Sequence, residues 1–168
     1  MDGALLILRV VVGALLAAHG SQKLFGWFGG RGPAGTSRML ESLGFRPAHP
    51  WAVVAGLAEF LGGILFLLGW LSPLGSLGIA SSMFIAITKV HWPKVWVTEH
   101  GLEYPLVLLT VATAVGIAGP GGFSLDHALG TSLAPGLSLS ALVLMVAGWV
   151  FALVSTSSPR QTPAATKG

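Results

Sequence analysis

Trp51-Ala-Val-Val-Ala-Gly-Leu-Ala-Glu59-Phe-Leu-Gly-Gly-Ile-Leu-Phe-Leu-Leu-Gly69 is long enough to cross a bilayer and carries one formal charge, on Glu59. An ionised side chain in hydrocarbon is costly, so it faces a polar interior, a partner or a water-filled cavity. Ala52, Gly56, Glu59 and Gly63 follow spacings of four, three and four. At 100° per residue they form one narrow stripe. Small residues mark helix–helix contact in membranes, so the stripe aims Glu59 into a bundle and away from lipid.

The segment before it has the same character. Arg9, Gly13, Gly20 and Lys23 share one stripe, and His19 lies one turn from Lys23. Three further apolar segments follow, giving expected helices at about 4–25, 51–71, 73–90, 102–118 and 137–154. Each is near spanning length, the last two at the short end. Ser72-Pro73 splits an uncharged run from Phe60 to Thr88 into a tight hairpin, with Ser72 read as the N-cap. Pro50 and Pro105 suit helix starts, and Gly119-Pro120-Gly121-Gly122 stops the fourth helix. The first loop, about Gly26 to His49, is glycine-rich and basic, and the tail from 156 to 168 is expected to be disordered.

Composition agrees with a bilayer as solvent. Of 168 residues, 53% are hydrophobic and 9% charged, with mean hydropathy +0.79. Soluble domains are nearer a quarter charged. One all-α membrane domain, residues 1–155, is the expectation. The first segment has no basic leader and is long enough to span, so it reads as a helix of the bundle and not as a cleaved signal. The basic residues are spread among loops, with no patch for nucleic acid. There is no cysteine, which excludes intrinsic disulfide chemistry, thiolate metal sites and cysteine-ligated clusters. No metal or phosphate-loop motif occurs.

With five spans, Lys23, Arg31, Arg38, Arg46, Lys89, Lys94, Arg160 and Lys167 share one side. The positive-inside rule makes that side cytoplasmic and places the N-terminus outside. Trp27, Trp51, Trp92 and Trp96 fall near that boundary and Trp70 near the other, as interfacial tryptophans do.

The polar groups converge on the cytoplasmic half. Glu59 lies about 12 Å inside the boundary by helical rise. His19, Lys23, His91 and Glu103 close or open their helices on the same side. The expectation is a polar pocket ringed by His19, Lys23, Glu59, His91 and Glu103, with His19, Lys23 and Glu59 as the chemically active groups. Each has a structural alternative. Lysines snorkel, Glu103 suits a helix N-terminus, His91 beside Trp92 suits an interface, and a Glu59–Lys23 or Glu59–His19 pair can fix register without chemistry. Arg9 lies in the outer half and is read as an ion pair with Asp126, clamping the outer loop to the first helix. Two histidines in five helices are thin grounds for axial haem ligation.

Leu8-Arg9-Val10-Val11-Val12-Gly13 and His19-Gly20-Ser21-Gln22-Lys23-Leu24-Phe25-Gly26 resemble the opening of the DoxX family. Ala55-Gly56-Leu57-Ala58-Glu59-Phe60-Leu61-Gly62-Gly63 resembles its second helix. His91-Trp92, Gly101-Leu102-Glu103-Tyr104-Pro105 and the segment from Gly119 to Asp126 resemble its later motifs. The resemblance implies a prokaryotic inner-membrane four-helix bundle, here extended by a fifth C-terminal helix. It carries over to Arg9, His19, Lys23, Glu59, Glu103 and Asp126. Members have been linked to membrane redox, as a subunit of a thiosulfate–quinone oxidoreductase and in a mycobacterial complex with superoxide dismutase and a sulfurtransferase.

The first functional reading is therefore binding of a quinone-like or small amphipathic molecule, with a partner oxidoreductase supplying electrons. His19 or Lys23 would hydrogen-bond a carbonyl oxygen, and Glu59 would relay a proton. Two alternatives stand beside it: a membrane anchor recruiting a soluble enzyme through Arg31 to Arg46, and a small-solute or proton pathway through Glu59. Small-residue stripes on several helices also permit a homo-oligomer.

Overall fold

The computed structural model describes residues 1–131 and 133–156. The tail residues 157–168, with Arg160 and Lys167, lie outside the described residues. The described chain is helical: α1 (Asp2–Leu24), α2 (Gly32–Ser42), α3 (Ala48–Leu68), α4 (Leu74–Ile85), α5 (Glu103–Ala118), α6 (Leu125–Leu129) and α7 (Pro135–Ser155). A π-helical turn, Ala86–His91, prolongs α4, and a 3-10 turn, Val97–Glu99, precedes α5.

Four helical stretches are long and apolar enough to cross a membrane: α1, α3, Leu74–His91 and α7. α5 is shorter, at 16 residues, or about 24 Å of helical rise. It nonetheless runs the depth of the bundle. Glu103 lies beside the Val97 turn at one end, and Gly116 lies against Ser76 near the start of α4 at the other. The chain is a multi-pass membrane protein.

α1, α3, α4 and α5 close a four-helix ring, with α1 packed on α3, α3 on α4, α4 on α5 and α5 back on α1. Val12, Leu16, Phe66, Ile79, Met83, Leu108, Ala112 and Val115 fill it. Glycine sets the α1–α3 approach. A Cβ at Gly63 would stand 2.5 Å from the Ala17 nitrogen, and one at Gly13 would stand 2.7 Å from the Gly63 carbonyl oxygen. Both would overlap, so the backbones touch where no side chain fits.

α7 lies outside the ring against α4. Its C-terminal end joins a second cluster in which Ala152 meets Leu40 of α2, Phe45 and Ala52 of α3. α7 thus descends from the Arg9 end of the bundle to the end carrying Lys23 and His91.

Three sequence expectations change. The first loop contains α2, which packs on α3 and α1. Its glycines and Pro33 read as loop, but Thr36 and Leu40, one turn apart, are buried and anchor it. Helix α4 starts one residue later than expected, with Pro73 as N-cap, and the Ser72 amide just before it is held by Asp126. The last span is 21 residues long, not at the short end.

Candidate functional site

Glu59 is 2% exposed in the middle of α3, on the buried stripe with Ala52, Gly56 and Gly63. Lys23 Nζ, from the last turn of α1, donates to Glu59 Oε1 at 2.5 Å. Ser82 Oγ, from α4, donates to the same oxygen at 2.5 Å. Three helices therefore meet on one carboxylate oxygen. The second, Oε2, is buried and unpartnered among the described residues. The Lys23–Glu59 contact is the only ion pair among the described residues. Lys23 is a quarter exposed and keeps a path outward, as its stem leans on Gly56, where a Cβ would stand 3.4 Å from Lys23 Cβ.

Beside this group lies a cavity of about 300 Å³, bounded by α2, α3, α4 with its π-helical turn, and α7. Its wall is largely apolar and includes Leu40, Phe45, Trp51, Ala55, Ile85 and Trp149. The few polar side chains in the wall include Lys23 and Ser82, both bonded to Glu59, with Ser81 and Thr36. Ligand sites commonly have this form, a mostly apolar concavity with a few placed polar groups. The wide π-helical turn contributes Ala86 and Val90; such turns recur at functional sites.

The other expected ring members lie apart from that carboxylate. His19 is exposed, with Nδ1 donating to the Leu15 carbonyl oxygen at 3.0 Å. Its ring stands 6.3 Å from Tyr104 of α5. His91 Nδ1 donates to the His100 carbonyl oxygen at 2.6 Å, and Glu103 Oε1 accepts from the Val97 amide at 2.7 Å. Both pin the 92–102 connection that folds back between α4 and α5. Their contacts are with backbone, because a reversing loop exposes free amides and carbonyls that a nearby side chain satisfies.

At the opposite end, Arg9 and Asp126 do not form the expected ion pair. Arg9 is 2% exposed and donates to three carbonyl oxygens: Pro120, Phe123 (2.7 Å) and Leu67 (3.3 Å). Asp126 accepts from the amides of Leu71 (3.0 Å) and Ser72 (2.9 Å) and from Thr131 Oγ1 (2.8 Å). The clamp exists, but each residue makes it through backbone. The interrupted end of α3 and the 119–124 loop offer carbonyls to a five-donor guanidinium, and the α3–α4 turn offers amides to a carboxylate. Gly69, the left-handed C-cap of α3 at φ 61°, leaves the room this needs: a Cβ there would stand 2.7 Å from the Arg9 guanidinium carbon.

Residues 4–92 match the DoxX family, which covers just over half of the chain and includes Arg9, His19, Lys23, Glu59, Ser82 and His91. The chain belongs to the DoxX family. No curated protein and no solved structure matches it. The DoxX match spans α1 to the end of the π-helical turn, so it includes the Lys23–Glu59–Ser82 group. The α7 wall of the cavity lies beyond it.

Ser82 and Trp149 were not legible as site residues. Ser82 carries no charge and sits in an uncharged run. The paired hydroxyls Ser81-Ser82 in that run were the available signal.

Proposed function

We propose that this DoxX-family protein binds a quinone-like or other small amphipathic molecule in the cavity between α2, α3, α4 and α7, and works with a partner oxidoreductase. The observation that carries the reading is the cavity's polarity. An apolar chamber opens beside Lys23 and Ser82, and both converge on a buried carboxylate with one free oxygen. An apolar ligand body fits the wall, and a carbonyl oxygen is the group that the remaining N–H donors of Lys23 recognise, the single Ser82 hydroxyl proton being given to Glu59.

In this reading Glu59 holds Lys23 charged and aimed. Its free oxygen is the proton acceptor in this reading, reached through the Lys23 ammonium that bonds Glu59. Lys23 is the hydrogen-bond donor to the carbonyl. Cysteine being absent, electrons come from the partner. We place the protein in a prokaryotic inner membrane with the Lys23 end in the cytoplasm, because Lys23, Arg31, Arg38, Arg46, Lys89 and Lys94 fall at that end.

The anchor reading has one observation of its own. α2 exposes Arg31 and Arg38 beside exposed Arg46, a basic surface for a soluble enzyme. Purification in mild detergent followed by mass spectrometry of bound quinones, lipids and proteins separates the two. Ligand binding predicts a small molecule that is lost in Lys23→Met. Anchoring predicts a co-purifying enzyme retained in Lys23→Met and lost when Arg31 and Arg38 become glutamate.

A further inference from the structure

Trp149 is the one donor in the α7 wall of the cavity whose bond is missing. Its ring stacks on Phe84 of α4, with centroids 4.2 Å apart and planes at 18°, so its position is fixed. Its indole Nε1 is shielded from solvent and has no partner among the described residues. A buried N–H without an acceptor is rare enough to require an explanation, and a missing ligand atom is one. Trp149 lines the same cavity as Lys23 and Ser82.

Depth defines what would satisfy it. Phe84 is two residues beyond Ser82, about 3 Å of helical rise, so Trp149 sits at nearly the level of the Lys23–Glu59–Ser82 group. Lys23 reaches the cavity from α1 and Trp149 from α7, and the rest of the lining is largely apolar. Two donors from different helices therefore share one apolar cavity at similar depth.

Building on the ligand reading above, we infer that Trp149 Nε1 is the second polar contact of the bound molecule. The site then takes a flat ring with two hydrogen-bond acceptors, one met by Lys23 and the other by Trp149. Trp149 is a specificity residue. It favours a ring dicarbonyl over a single carbonyl, since a monoketone leaves one wall donor unpaired. The preference comes from α7, outside the DoxX-matched segment.

The test uses the full chain in detergent, with its tryptophan indoles labelled with ¹⁵N and the Trp149 signal assigned by its loss in Trp149→Phe. Phenylalanine keeps an aromatic ring to stack on Phe84 and removes the N–H together with the five-membered ring, so unchanged tetralone binding separates the lost hydrogen bond from lost packing. The probes are 2-methyl-1,4-naphthoquinone and 1-tetralone, a ring with one carbonyl. The expected result is a shift of the Trp149 indole signal by the naphthoquinone and about tenfold weaker binding of it to W149F, the scale of one hydrogen bond, with tetralone bound alike by both proteins. Equal naphthoquinone binding by both proteins with the indole signal unmoved overturns the role of Trp149 and leaves the ligand reading standing. No binding of either probe to the wild type overturns both.

Discussion

Lys23 Nζ stands 2.5 Å from Glu59 Oε1 and joins the last turn of α1 to the middle of α3. The asymmetry of this pair sets what its variants do. Glu59 is buried, whereas Lys23 keeps about a quarter of its side chain exposed. Removing Lys23 strands a carboxylate with Ser82 as its remaining partner. Removing the Glu59 charge leaves an ammonium that can turn outward. Lys23→Met is therefore expected to cost about 3 kcal/mol or more, the scale for an orphaned buried charge, and Glu59→Gln less. The double variant is expected to be more stable than K23M alone. Thermal unfolding in detergent of the three proteins checks the order; equal losses for both single variants contradict it.

Ser82→Ala removes a hydrogen bond to a charged oxygen and leaves the ion pair. The expected loss is about 1.5 kcal/mol. Ser81→Ala is the control, because Ser81 lines the cavity without bonding Glu59. Its effect is expected to fall within about 0.5 kcal/mol, as for substitutions away from such features. The same unfolding measurement reads both.

Packing of α1 on α3 gives a third prediction. Gly20→Ala drives a methyl group into the Phe60 backbone, where nothing flexible can yield. Overpacking of this kind costs about 1–3 kcal/mol. Gly148→Ala in α7 meets nothing within 4 Å and is expected to be neutral or slightly stabilising, since alanine is the better helix former. A similar loss at both positions would contradict the close α1–α3 approach.

At the Arg9 end, Arg9→Lys keeps the charge and loses the fork that reaches three carbonyls. A single ammonium cannot span them. The expected result is faster hydrogen exchange in the 119–124 loop. Asp126→Asn is expected to speed exchange at the Leu71 and Ser72 amides while sparing that loop. If each variant loosened both regions equally, Arg9 and Asp126 would be acting as a pair after all.

The inward aim of Glu59 was legible because Ala52, Gly56 and Gly63 share its stripe, and a lone charge among small residues has few places to face. Lys23 was legible by the same logic. Ser82 was not, because a neutral hydroxyl in an apolar run gives no imbalance to read, and Trp149 stands in the apolar last span with nothing beside it to single it out. The helix α2 was hidden by Gly32, Pro33 and Gly35, whose local preferences are overridden by burial of Thr36 and Leu40. His91 and Glu103 shared a depth with Glu59 in the sequence. The structure gives them to the 92–102 connection, whose return path no spacing encodes. Arg9 and Asp126 were assigned to one another because side chains are visible in a sequence, whereas the backbone groups that hold them are not.

The cavity beside Lys23 is the proposed ligand site. Native mass spectrometry of the wild-type chain and of Ala55→Phe, whose ring would occupy the cavity wall at Ala55, tests this most directly. The wild type is expected to carry a small amphipathic molecule that A55F, folded to the same helical content, has lost. A wild type with no bound small molecule, or the same adduct on both proteins, would contradict the account.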